Sequence, residues 1–176
     1  MRQMSWCIAT VLSLVVSAYA ISGPDFTGQW QLDLEASDKL DDIATLQGMS
    51  WMEYKLFENM PVTQTIHQSE NRITIIIDSL IKNRTEIIVP DGSVEERKNE
   101  KGYLMQVRSF WADDRSALLT WIETMTADKK PVKIVIRRSV SPDGQTMIQD
   151  IGVITEAGEG PNAKRIFRKI NDSNNK

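Results

Sequence analysis

The stretch Phe26-Thr27-Gly28-Gln29-Trp30-Gln31-Leu32-Asp33-Leu34 alternates apolar residues and Gly28 with polar ones at every step. Side chains of a strand point to opposite faces in turn, so this is a strand with one face buried and one wet. A helical segment of about 25 residues follows, and then a long series of short strands with hairpin spacing. That order predicts a small barrel with a helical lid, a container more than a chemical machine.

Upstream of this strand, residues 1–20 have the form of a secretory signal. Arg2 is the only charge, an apolar run extends from Trp6 to Val16, and Ala18-Tyr19-Ala20 supplies a small–x–small cleavage pattern. The run is too short to span roughly 30 Å of hydrocarbon, and no stop-transfer charges follow it. The expected mature protein is secreted or periplasmic, with no stable membrane insertion after removal of the signal.

Cys7 lies in the leader, so a mature chain of about 156 residues has no cysteine. That length supports one core without disulfides and excludes thiol catalysis and thiolate metal sites. Without Arg2, 20 Lys and Arg stand against 24 acids, a net charge of about −4. No basic run tracks phosphates, so nucleic acid is not an expected partner. Residues 21–170 read as one domain, expected to be a monomer, and the polar stretch 171–176 as a disordered tail.

The helical segment carries its own punctuation. Ser37 and Asp38 suit the start of a first helix with Leu40, Ile43 and Leu46 inward and Gly48 as its C-terminal cap. Ser50-Trp51-Met52-Glu53 has the capping-box pattern for a second helix, with Met52 and Leu56 at i, i+4, and Pro61 ends it. Strands are expected over 61–68, 73–81, 84–90, 93–98, 102–110, 117–125, 132–140, 145–154 and 163–170. Turns fall at Ser69-Glu70-Asn71, Asp91-Gly92, Lys101-Gly102, Asp113-Asp114, Asp128-Lys129 and Pro142-Asp143-Gly144. With 26–34 this predicts a ten-stranded antiparallel up-and-down β-barrel with a two-helix lid after the first strand. Closure removes sheet edges, and a barrel of this width has room inside.

The order of these segments resembles the fatty-acid-binding protein family, within the calycin group that includes the lipocalins. Phe26-x-Gly28-x-Trp30 matches its opening strand, and Leu40-Asp41-Asp42 with Gly48 its first helix and turn. Asn71-Arg72-Ile73-Thr74-Ile75 resembles its second hairpin, followed by Lys82-Asn83, Thr85-Glu86 and Glu95-Glu96. Ile136-Arg137-Arg138 and Arg165-Ile166-Phe167 fall where the family places its carboxylate-binding residues. The resemblance implies a barrel that holds a small hydrophobic ligand such as a fatty acid, with Arg138, Arg165 and Phe167 at the site. Phe167 replaces the tyrosine of the family's closing Arg-x-Tyr motif, which removes a hydroxyl from the head-group site. The leader is a second departure, since most members are cytosolic, and the loop around Ala157–Asn162 is a third, being longer than usual. A lipocalin proper would begin with Gly-x-Trp, lack the helix pair and carry a helix near its end.

Independently of the resemblance, Val132, Ile134, Ile136, Arg138 and Val140 share one strand face. A guanidinium on that face needs an anion, a carbonyl or water. It either holds a ligand carboxylate in bidentate fashion, pairs internally with an acid such as Glu123, or lies near the rim. Arg165 and Phe167 share a face opposite Ile166 and Ile170, and alternation alone leaves open which face is inside. Met49, Met52, Met60 and Met105 suit an adaptable lining or ordinary core packing. Trp30 reads as a structural plug at the closed end, and Trp51 as a residue of the second helix, near the portal or simply packed.

Enzyme signals are poor. His67 is the only histidine, and Gly-x-Ser-x-Gly, a phosphate-binding glycine loop and His-Glu-x-x-His are all lacking. Asp41-Asp42 and Glu95-Glu96 read as solvated faces. No catalytic residue, metal or cofactor is expected. Asn83-Arg84-Thr85 and Asn171-Asp172-Ser173 fit the glycosylation sequon of exported eukaryotic proteins. The expected function is non-covalent binding or transport of a small hydrophobic ligand outside the cytoplasm. Its rivals are a protein- or surface-interaction module with a side-chain-filled barrel and an enzyme on a calycin scaffold.

Overall fold

The computed structural model describes residues 23–80, 83–99 and 102–170. The leader over 1–20, the tail over 171–176, Lys82 and the side chains of Trp51, Glu53 and Leu56 lie outside the described residues. Along the chain run β1 (Gly28–Asp33), α1 (Asp41–Leu46), α2 (Trp51–Glu58), β2 (Val62–Ser69), β3 (Arg72–Ser79) and β4 (Arg84–Ile88). Then come β5 (Asp91–Lys98), β6 (Leu104–Trp111), β7 (Leu118–Met125), β8 (Pro131–Val140), β9 (Thr146–Thr155) and β10 (Gly158–Ile170). Among the described residues no helix is long and apolar enough to cross a membrane.

The ten strands form one antiparallel sheet in the order β4-β3-β2-β1-β10-β9-β8-β7-β6-β5. Each hairpin joins sequence neighbours, and the pairing of β1 with β10 wraps the meander into a barrel. β4 and β5 are the two ends of this order, so closure by backbone hydrogen bonds stops there. Pro90 between them has no N–H to donate. A side chain crosses instead: Arg97 Nη2 donates to the Ile87 carbonyl at 2.9 Å.

One end of the barrel is solid. Phe26, Trp30, Ile66, Ile73, Ile75, Leu118 and Met147 are fully buried there, opposite the lid. Trp30 is the expected plug, with its indole Nε1 donating to the Phe26 carbonyl at 2.8 Å. Phe26 in turn stacks on Trp111. Lys169, paired with Trp30 across the β1–β10 ladder, lays its ammonium 5.2 Å from the Trp30 ring centre. Gly28, at φ +132°, makes room for that lysine, since a Cβ there would lie 2.8 Å from Lys169 Cε.

The lid differs from expectation in detail. Ser37 and Asp38 do not start α1; they extend the pairing of β10 past the end of β1. Ser37 Oγ accepts from the Ile166 N–H at 2.9 Å and donates to the Asp33 carbonyl at 2.6 Å. The Asp38 carboxylate accepts from the Lys164 N–H at 2.8 Å, and the Asp38 N–H donates to the Lys164 carbonyl at 2.8 Å. With those groups committed to β10, α1 begins at Asp41 behind Leu40, which gives no side-chain cap. Asp41 and Asp42 in the first turn suit the helix dipole. Ala44 is the buried residue of α1, while Leu40, Ile43 and Leu46 are half-buried. At the far end of α1 the Leu46 carbonyl accepts from Ala127 N–H at 3.1 Å, in the β7–β8 turn. The lid thus spans from β10 to β7. In α2 Met52 is 70% exposed, so it does not face inward as its spacing with Leu56 suggested, and Tyr54 is buried. The stretch 157–162 is not a long loop either: β10 runs on from Gly158 after a tight turn, with a register shift between Glu159 and Asn162.

Ser37→Ala removes the acceptor for a half-buried backbone N–H. It is expected to destabilise the protein by about 1–2 kcal/mol, the scale of one lost hydrogen bond with an unpaired partner, as read by urea denaturation. An unchanged midpoint would show that the lead-in to α1 does not hold β10.

Candidate functional site

Register decides which side chains face inward. Leu32 pairs with Phe167, Phe167 with Met147 and Met147 with Val140, and all four share the face of the buried Trp30. The same alternation carries Arg165 inward on β10, Gln149 on β9 and Arg138 on β8. Arg138 is directly opposite Gln149, and Gln149 directly opposite Arg165. Strands lie about 4.8 Å apart, so two guanidinium side chains flank one carboxamide within roughly 10 Å.

Arg138 is only 7% exposed. With the Gln149 amide turned so that its oxygen faces the guanidinium, it accepts from Nε at 3.0 Å and from Nη2 at 2.6 Å. Burial pushes the Arg138 pKa down to about 10, and the charge of Glu86 works against that shift. The cation therefore persists at neutral pH, held by a neutral group, with no ion pair to it among the described residues. Glu123 is not its partner, because Glu123 sits on the outer face and pairs with Lys133 at 3.2 Å. Arg165 is half-buried, with its pKa lowered by burial, and makes no hydrogen bond or ion pair among the described residues. Phe167 is buried in the floor beside Leu32 and Met147.

Beyond the floor the wall is mixed. Met105, Thr120, Ile122, Ile134, Ile136 and Ile151 share the interior face and are half-buried, whereas Val107, Val132 and Val153 on the same face are buried. Ser109 and Thr120 pair their hydroxyls there at 2.9 Å. A groove of about 480 Å³ lined by Leu104, Glu123, Met125, Lys133 and Ile154 opens on the rim and outer face and includes neither arginine.

Above the wall, α2 supplies Tyr54 and Glu58. Glu58 is tied to Lys55 and, at 2.9 Å, to Lys39, an ion pair whose angle makes no hydrogen bond at Oε1. Those two ammonium groups, Lys55 first, hold its carboxyl down at about 2. This joins α2 to the lead-in of α1. His67 is exposed on the outer face, and among the described residues no cluster of His, Cys, Asp or Glu has the form of a metal site.

Sequence reasoning reached Arg138, Arg165 and Phe167 but missed Gln149 and Tyr54. Gln149 is the one polar member of the inward stripe Met147, Gln149, Ile151, Val153. The alternation that singled out Arg138 applies to it equally.

No family model and no curated protein sequence matches the chain. Solved structures do. The protein described as the REP1-NXSQ fatty acid transporter superposes with TM-score 0.63 at 16% identity, covering 82% of this chain and 96% of that one. The fold is that of the fatty-acid-binding proteins. A Schistosoma mansoni fatty acid binding protein in complex with arachidonic acid gives TM-score 0.61 at 19% identity, over 83% of this chain and 96% of that one. Human cRBP IV gives 0.59 at 15%, over 83% and 98%.

Gln149→Leu strips Arg138 of its hydrogen-bond partner and is expected to cost about 2 kcal/mol of stability, the scale for a hydrogen bond to a charged group. Adding Arg138→Leu should recover most of that loss, because an apolar pair leaves no buried cation. Urea denaturation of both single variants and the double one reads the difference. A neutral Gln149→Leu would place the Arg138 charge in water.

Proposed function

We propose that this barrel binds one small hydrophobic ligand with an anionic head group, an ionised fatty acid being the best-fitting class, and carries it without covalent chemistry. The observation behind the reading is the inward row Arg138–Gln149–Arg165 between the packed floor and a wall with half-buried isoleucines. A buried cation held only by neutral groups carries an unmet electrostatic demand, and a carboxylate meets it with bidentate hydrogen bonds. The isoleucine wall suits the acyl chain, each buried CH₂ of which contributes about 0.8 kcal/mol. Phe167 would lie under the head group as an apolar base. Neighbours named for fatty acids support the same class. A side-chain-filled interaction module fits the floor but not the partly exposed wall, and an outward His67 offers no base to an enzyme.

The leader supports a location outside the cytoplasm, with the mature chain starting at Ile21. Native mass spectrometry of exported protein, followed by organic extraction, tests ligand and location together. The expected species starts at Ile21 and carries one extractable fatty acid. Retention of Met1–Ala20 in exported material contradicts the location, and an empty protein that takes up no palmitate contradicts the function.

In the same assay Arg138→Ala and Arg165→Ala are expected to weaken palmitate by on the order of 2–5 kcal/mol, the scale for truncating one partner of a buried charge pair, and its methyl ester far less. Phe167→Tyr is expected to add about 1 kcal/mol for the acid. Equal, small effects on acid and ester would place both arginines outside the site.

A further inference from the structure

Tyr54 is 6% exposed, and its buried hydroxyl lies within reach of the Asp41 carboxylate and the Leu40 backbone but meets neither at a good hydrogen-bond angle. A polar atom in that position carries an unmet demand of its own. Its place in the fold is well defined. The lead-in to α1 is stitched to Lys164 and Ile166, the residues on either side of Arg165. Leu40 and Asp41, just beyond that stitch at the start of α1, lie against the Tyr54 hydroxyl. The tyrosine therefore stands where the lid crosses β10. Below it Arg165 faces the interior, half-buried and without a partner among the described residues. Phe167, next on the same strand face, has no hydroxyl to offer.

We propose that Tyr54 is a head-group donor carried by the lid: a bound carboxylate accepts from the Arg165 guanidinium on β10 and from the Tyr54 hydroxyl on α2 at once. This rests on the reading of the barrel as a carrier of anionic lipid and adds the residue that ties head group to lid. The hydroxyl that Phe167 lacks comes from the opposite side of the site. Burial, first, then the approach of the Asp41 carboxylate to the hydroxyl and the Asp41 and Glu58 charges push the Tyr54 pKa up to about 12 against a small opposing effect of the Leu40 backbone, so the phenol keeps its proton and stays a donor at any physiological pH. A ligand that touches wall and lid together favours the closed lid by its differential contact with that state. Chain length alone would not do this, since an apolar tail contacts the wall whether the lid is open or shut.

The test uses palmitate and its methyl ester with wild type and Tyr54→Phe. The variant loses a hydroxyl that makes no hydrogen bond of good geometry, so its melting temperature without ligand is expected to change little. Palmitate affinity is expected to fall roughly 10-fold, the scale of one charge-assisted hydrogen bond, with faster release and a smaller loss for the ester. Amide exchange across residues 41–58 should slow when palmitate binds wild type and slow much less in the variant. Three results overturn the proposal. If wild type binds no palmitate, the carrier reading fails and this inference falls with it. If wild type binds and Tyr54→Phe matches it in affinity, release and exchange, the carrier reading stands and Tyr54 has no part in it. If the variant melts lower and weakens acid and ester alike, Tyr54 serves lid packing only.

Discussion

The pairing of β1 with β10 is the constraint on which everything else depends. Local hairpins alone give two separate meanders, β1–β4 and β5–β10, and an open sheet has two faces but no inside. Trp30 opposite Lys169 and Leu32 opposite Phe167 join the two ends of the chain and define an interior. Only then does strand alternation acquire a meaning for Arg138, Gln149 and Arg165. The same junction anchors the lid, because β10 outlasts β1 and its spare backbone groups are taken by Ser37 and Asp38.

Within that interior two physical demands are separated in space. The end opposite the lid satisfies the hydrophobic effect with its own side chains, and Phe26, Trp30 and Ile66 leave no room there. Toward the lid the interior face is mixed, with Val132 and Val153 buried and Ile122, Ile134 and Ile151 half-buried. The Arg–Gln–Arg row sits at the border. A fold held together only by burial would gain from replacing Arg138 with an aliphatic residue, since buried ionic groups rarely beat well-packed apolar ones. A guanidinium kept there, charged and facing a carboxamide, is better explained by what it can bind than by what it stabilises.

Most of the barrel was legible because its strands are amphipathic at period two and its turns carry Gly, Asp and Asn. Arg138 was legible for the same reason, standing at the end of a stripe of β-branched residues. The errors fall where local pattern and tertiary demand diverge. Ser37 and Asp38 have good capping chemistry, but unpaired amides of β10 compete for it, and no local window contains residues 130 positions away (roughly the reach of that contact). Met52 fits an i, i+4 pair on a short helix, but it is exposed while Tyr54 of the same helix is buried. The stretch 157–162 holds Gly158, Gly160 and Pro161, which reads as loop, yet a register shift lets the strand continue through it. Gln149 was available to the alternation argument and lacked only the register that sets it between two arginines.

The central claim is that the interior holds a carboxylate in its ionised form against buried cations. Carboxyl-¹³C palmitate bound to the protein and titrated by NMR tests it most directly. A carboxylate beside Arg138 and Arg165 should stay ionised well below pH 4, about where ordinary side-chain carboxyls titrate. A bound carboxyl that protonates at or above that value would show a desolvated head group without a cation, and would contradict the site.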